Sequence, residues 1–116
     1  MVSDTFTQEI AQLHAHICSG LADPHRILIL YALQEKPSNV SDLASEIGIS
    51  QPNASRHLHI LRERGMVFAK REGKSVIYTL SNMRIIQALD LLRSVLAEQL
   101  NNQAELAQSV SISFDE

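Results

Sequence analysis

The hydrophobic positions of this chain change their period along its length, and each change marks an element. Over residues 5–19, Phe6, Ile10, Leu13 and Ile17 recur every three or four positions, the single apolar stripe of an amphipathic helix. Asp23-Pro24 then opens a second helix. Asp23 is suited to accept from the free amides of the first turn, and Pro24 to the first helical position, where no amide donor is needed. The run Ile27-Leu28-Ile29-Leu30-Tyr31-Ala32-Leu33 that follows is apolar nearly all round, which predicts a core helix. After a loop at Lys36-Pro37-Ser38-Asn39, a short helix is expected over 40–47, capped by Asn39 and stopped by a left-handed Gly48. Ser50 caps the next helix, over 51–64, which Gly65 ends.

Two helices joined by a turn of about three residues, with Ala44, Gly48 and Ala54 at the points of close approach, read as a helix-turn-helix over 40–64. The period then falls to two. Val67, Ala69, Val76, Tyr78 and Leu80 alternate with polar residues around Arg71-Glu72-Gly73-Lys74, which predicts a glycine-turned hairpin over 66–80, a wing. From 82 to about 100 the pattern is helical again, with Ile85, Leu89, Leu92, Leu96 and Leu100 on one face and Ile86 and Val95 widening it. That is more apolar surface than a small core consumes, so helices 5–19 and 82–100 are expected to pair with a second copy of the chain. The polar, acid-ended stretch 101–116 is expected to fray as an extension. The fold expected is therefore mainly α with a small β-hairpin: a winged helix-turn-helix of order α-α-α-α-β-β-α in residues 1–100, forming a homodimer through its first and last helices.

Composition narrows the picture. With 116 residues, 45% of them hydrophobic and 20% charged, the chain is one domain of ordinary globular make-up, which excludes wholesale disorder and a fibrous repeat. Cys18 stands alone and so forms no intramolecular disulfide, no secretory signal opens the chain, and no apolar run is long enough to span a bilayer. A cytoplasmic protein without a membrane partner is expected. The formal charge of −3 on its own argues against a polyanion partner, but its distribution reverses that. Residues 50–80 hold six basic side chains against two acidic ones, a local +4, while the rest of the chain carries −7. An enzyme is not expected, since no nucleophile elbow, phosphate-cradling glycine loop or zinc-hydrolase motif is present.

At Gly20-Leu21-Ala22-Asp23-Pro24-His25-Arg26-Ile27, Val40-Ser41-Asp42-Leu43-Ala44 and Ser50-Gln51-Pro52-Asn53-Ala54-Ser55-Arg56-His57-Leu58-His59-Ile60-Leu61-Arg62-Glu63-Arg64-Gly65-Met66-Val67, the sequence resembles the ArsR/SmtB family of bacterial winged-helix repressors. The wing Arg71-Glu72-Gly73-Lys74, closing in Ile77-Tyr78-Thr79-Leu80, extends the likeness to roughly residues 6–100. The resemblance implies a homodimer that holds double-stranded operator DNA and releases it when an inducer binds.

The DNA-reading helix can be oriented from spacing alone. Ala54, Leu58 and Leu61 share the core face, which turns Gln51, Pro52, Ser55, Arg56, His59 and Arg62 outward or sideways. Gln51 has the paired groups to read adenine and Arg56 those to read guanine. The family pattern implies contacts at Gln51, Pro52, Asn53, Ser55 and Arg56. Ser50 at the helix start and Lys70, Arg71 and Lys74 on the wing complete the expected set, the last three on phosphate or in the minor groove. His57 and His59 are expected in structural or DNA-contacting roles rather than as metal ligands.

The inducer is where the chain departs from its resemblance. The Cys-x-Cys pair that one family metal site needs is replaced by Asn39-Val40-Ser41-Asp42, and the four ligand positions of the last-helix site hold Asn82, Arg84, Val95 and Glu98. The two-cysteine persulfide switch is impossible with Cys18 alone. What remains is His14, Cys18 and His25 as a candidate transition-metal set, or Cys18 as a redox-sensitive thiol, with His16 on the opposite side of the helix. An inert Cys18 is equally compatible with these residues, and a bound cofactor is not required. The competing classes are a winged-helix regulator that answers to no inducer and a winged-helix module that grips another protein.

Overall fold

The computed structural model describes residues 2–115, with side chains described for 2–108. Helix α1 spans Asp4–Leu13 and is capped by the Ser3 hydroxyl, which accepts from the Phe6 amide at 3.1 Å. The helix expected over 5–19 forms without interruption, though not as an α-helix throughout. His14–Cys18 is wound as a π-helical turn in which the Ser19 amide reaches back five residues to the His14 carbonyl. The Ala15 carbonyl in that turn accepts from the Ser19 hydroxyl at 2.6 Å and from the Arg64 guanidinium.

Helix α2, Pro24–Glu35, starts as its sequence predicts, with the Asp23 carboxylate accepting from the His25 amide at 2.8 Å and Pro24 at the helix start. It buries Ile29, Leu30, Ala32 and Leu33, but Leu28 faces out, so its apolar character exceeds what the core uses. Helix α3, Val40–Ile47, is capped by Asn39 and ends at Gly48 with φ +81°, a conformation only glycine adopts cheaply. Helix α4, Gln51–Glu63, is capped by Ser50, with Arg64 closing its last turn. Ala54, Leu58 and Leu61 are fully buried, as their spacing requires, and join Ile29, Leu30, Leu43, Met66 and Val67 in the core.

Strands β1, Val67–Glu72, and β2, Ser75–Leu80, pair antiparallel with Glu72 opposite Ser75, so the wing turns on Gly73 and Lys74 alone. Gly73 has φ +63° and Lys74 does not share the positive sign, the arrangement of a tight two-residue hairpin that needs glycine first. The stretch read as a loop before α3 contributes a rung of its own. Ser38 and Tyr78 exchange both backbone hydrogen bonds, at 3.1 and 2.8 Å, and Ser38 is buried.

These elements form one compact unit through Met83, and residues 84–116 form a second, helical one. Helix α5 runs Met83–Asp115 without the break expected after Leu100. Residues 101–108 contain neither glycine nor proline, and Ala104, Glu105, Leu106, Ala107 and Gln108 all favour helix, which accounts for the continuation. At 1.5 Å per residue α5 is about 50 Å long. Ile86 and Leu89 are buried, while Leu91, Leu92, Val95, Leu96, Leu100 and Leu106 are exposed. Among the described residues, no helix is long and apolar enough to cross a membrane.

Candidate nucleic-acid interface

Burial of Ala54, Leu58 and Leu61 fixes the rotation of α4. Gln51, Pro52, Ser55, Arg56, His59 and Arg62 are consequently exposed, together with the cap residue Ser50, and Asn53 is half-buried beside them. In the first turn of α4 Pro52 has no amide, the Asn53 amide is held by the Ser50 hydroxyl at 3.2 Å and the Ala54 amide by the Ser50 carbonyl at 3.0 Å, so the turn meets phosphate chiefly through its side chains. The Arg56 guanidinium donates to the Asn53 side-chain carbonyl one turn back, which restrains the arginine along the helix instead of leaving it to sweep solvent. His59 is differently placed. Its Nε2 lies 3.2 Å from Glu63 Oε1, so an acidic partner already occupies the edge that would face DNA.

The wing brings its three basic side chains to the surface, but not to one face. Successive residues of a strand point to opposite sides, so Arg71 lies on the side of Val67 and Ala69, whereas Lys70 lies on the side of Phe68 and Glu72. Phe68 is 61% exposed on that second side. Lys74 stands at the tip. It lines a single recess with Gln51 at the start of α4 and with Asn39 and Ser41 at the start of α3. The helix end expected to read bases and the wing tip expected to hold phosphate therefore open onto the same side of the unit.

Not every cation of the basic segment is available. Arg64 is committed to the Ala15 carbonyl, and Arg26, outside the segment, holds the Gly20 carbonyl at 2.7 Å, the Ser19 carbonyl at 3.2 Å and His57 Nδ1 at 3.3 Å. These two arginines tie the segment between α1 and α2 to α4.

The residues expected to sense an inducer are distributed differently from the expectation. Cys18 is exposed. Among the described residues, His14, Cys18 and His25 do not gather as a metal-capable group; His25 instead joins Asp23 and His57, with one ligand atom from each within 4.8 Å of the others. Burial pushes the His57 imidazole below its usual value, while the Asp23 charge pulls it up and Arg26 pushes it down. The backbone amide of His25 holds the Asp23 carboxyl below the ordinary range. Sequence reasoning missed this meeting because His57 lies more than thirty positions from the other two and no local spacing announces it.

A profile of bacterial regulatory proteins of the arsR family matches residues 23–68, from the cap of α2 to the start of the wing. The HTH-type transcriptional regulator Rv0081 of Mycobacterium tuberculosis is 32% identical over 105 residues, covering 90% of this chain and 92% of its own. Its crystal structure superposes with a TM-score of 0.73, at 35% identity over 82% of this chain and 96% of that one. The biofilm growth-associated repressor of Xylella fastidiosa is 32% identical over 85 residues, 73% of this chain and 75% of that protein. A homodimeric winged helix-turn-helix DNA-binding domain from Mycobacterium bovis matches with a TM-score of 0.73 and 28% identity, over 86% of this chain and 92% of that one. With helix order, wing and sequence all in agreement, the chain belongs to the arsR family of bacterial winged helix-turn-helix transcriptional regulators, DNA-binding proteins and not enzymes.

Proposed function

We propose that this chain works as a homodimeric repressor that holds double-stranded operator DNA and lets it go when an inducer binds. The observation that carries the reading is the shared recess of Gln51 and Lys74, which sets the start of α4 and the wing tip to meet one duplex together. Ser50, Gln51, Pro52, Asn53, Ser55 and Arg56 approach base edges and phosphates in the major groove, with His59 and Arg62 further along the helix. Lys70, Arg71 and Lys74 hold the flanking backbone. The dimer follows from exposed apolar stripes on two helices. Phe6, Ile10 and Leu13 face solvent on α1, and Leu92, Val95, Leu96 and Leu100 do so on α5. Single exposed leucines need no partner, but a stripe of them does. Two such protomers read half-sites about 34 Å apart, one helical turn of DNA. The inducer is a metal ion or a thiol-reactive signal, for which the exposed Cys18 supplies the thiol.

Gel shifts on the duplex flanking the chain's own gene, run across a salt series, test this. Binding by two protomers is expected, with log affinity falling against log salt by about 0.9 for each phosphate neutralised. Absence of a shift, or one indifferent to salt, overturns the reading and favours a wing that grips protein instead.

A further inference from the structure

Asp23 caps α2, His25 lies in its first turn, and His57 comes from the middle of α4. The fold nevertheless brings an oxygen and two ring nitrogens of these residues to a common point. Asp23 Oδ1 is 3.7 Å from His25 Nδ1 and 4.0 Å from His57 Nε2, and the two imidazole rings stand 5.6 Å apart at 53°. Donors bonded to one zinc ion at about 2.0–2.2 Å in a tetrahedron stand about 3.3 Å from one another. Small side-chain rotations of Asp23 and of the exposed His25 would close gaps of this size. The donor set is two imidazoles and a carboxylate, which suits borderline divalent ions such as Zn²⁺ better than hard ones such as Mg²⁺.

We propose that Asp23, His25 and His57 bind a divalent first-row transition ion of the Zn²⁺ class, and that its binding is felt directly by the DNA-reading helix. The second half rests on the repressor reading above; the first does not. His57 is 17% exposed and Asp23 33%, so the ion sits in a half-buried notch with a fourth position open to water. Imidazole must be neutral to ligate, so binding is expected to weaken as the pH falls.

The coupling follows from proton placement on the His57 ring. In the metal-free chain Arg26 Nη1 donates to Nδ1 at 3.3 Å, which puts the neutral ring's proton on Nε2, toward Asp23. For an ion to take the Nε2 lone pair the ring's one proton must move, by exchange with water, from Nε2 to Nδ1, which then becomes the N–H. Two donors then face each other, and the Arg26–His57 bond breaks. Arg26 remains anchored to the Gly20 and Ser19 carbonyls, so the strain falls on α4, where His57 is flanked by Arg56. The positive charges of Arg26 and Arg56 also oppose the cation and keep the site reversible.

The full chain, freed of metal by a chelator, is titrated with Co²⁺ and with Zn²⁺. One ion per protomer is expected, with the visible absorption of low-coordinate Co²⁺. His57→Gln and His25→Gln are each expected to weaken binding by more than about 100-fold, beyond the 10- to 100-fold that loss of an outer-sphere partner costs. Cys18→Ser and His14→Gln are expected to leave it unchanged. His25 is exposed, so unchanged thermal melting of His25→Gln separates loss of a ligand from loss of fold. Absence of saturable binding, binding that survives both histidine variants, or binding lost with Cys18→Ser overturns the site. In gel shifts, Zn²⁺ is expected to lower the affinity of the wild-type chain for DNA by about tenfold or more, and that of His25→Gln not at all. A bound ion without this effect overturns the coupling. Failure of the metal-free chain to bind DNA overturns the repressor reading, while the stoichiometry decides the site by itself.

Discussion

Helices α4 and α5 both carry leucine and isoleucine at helical spacing, yet they use them in opposite ways. In α4 the apolar residues Ala54, Leu58 and Leu61 are fully buried within their own chain, and what faces solvent is polar and basic. In α5 only Ile86 and Leu89 are buried, and Leu92, Leu96, Leu100 and Leu106 remain more than half exposed. A helix whose hydrophobic side is already satisfied is free to spend its outer side on chemistry. One whose hydrophobic side is not must find a partner, which the proposed homodimer would supply.

The largest effect that sharpens this contrast comes from inside α4. Leu58→Ala is expected to destabilise the chain by about 2–5 kcal/mol, read from urea or thermal unfolding, because it leaves a cavity at a fully buried site. Next in size, Leu92→Glu combined with Leu96→Glu on α5 is expected to give a monomer that stays helical and folded. Its DNA affinity should drop about 100-fold, since the second half-site is no longer tethered to the first. Sedimentation reports the mass, and a dimer surviving both charges would break the assignment of α5. Smaller again, Arg56→Ala is expected to cost about 1–3 kcal/mol of binding per half-site and to relax preference at one base pair, without moving the melting temperature. The smallest change is expected for Lys74→Ala, a uniform weakening across sequences with a salt slope shallower by about one unit per protomer.

Much of the reading helix was legible before any coordinates. Ser50, Asn39 and Asp23 cap the helices they precede, Gly48 takes the left-handed turn, and the four-and-three spacing of Ala54, Leu58 and Leu61 orients α4 correctly. These are signals of neighbours acting on neighbours. The π-turn at His14–Cys18 has no such signal in the apolar spacing, and one of its contacts is tertiary: Arg64, far along the chain, binds the Ala15 carbonyl within it. The same holds for the meeting of His57 with Asp23 and His25, and for the rung between Ser38 and Tyr78. Both need residues brought together by packing, which periodicity does not encode. The continuation of α5 past Leu100 is different in kind. Residues 104–108 favour helix individually, so the helix runs on where polarity alone suggests its end.

The rung between Ser38 and Tyr78 has a mechanical side. It clamps β2 at Tyr78 to the backbone leading into α3, while the backbone hydrogen bonds beyond it run between the two strands alone. From Tyr78 to Ser75 the free length is about 10 Å at the usual rise of a strand. The wing is thus a short cantilever, stiff at its root and compliant at its tip. A duplex that is locally narrower or wider is expected to deflect Lys74 ahead of the clamped root, opening or closing the recess it shares with Gln51 while the root of the wing keeps its register with α3.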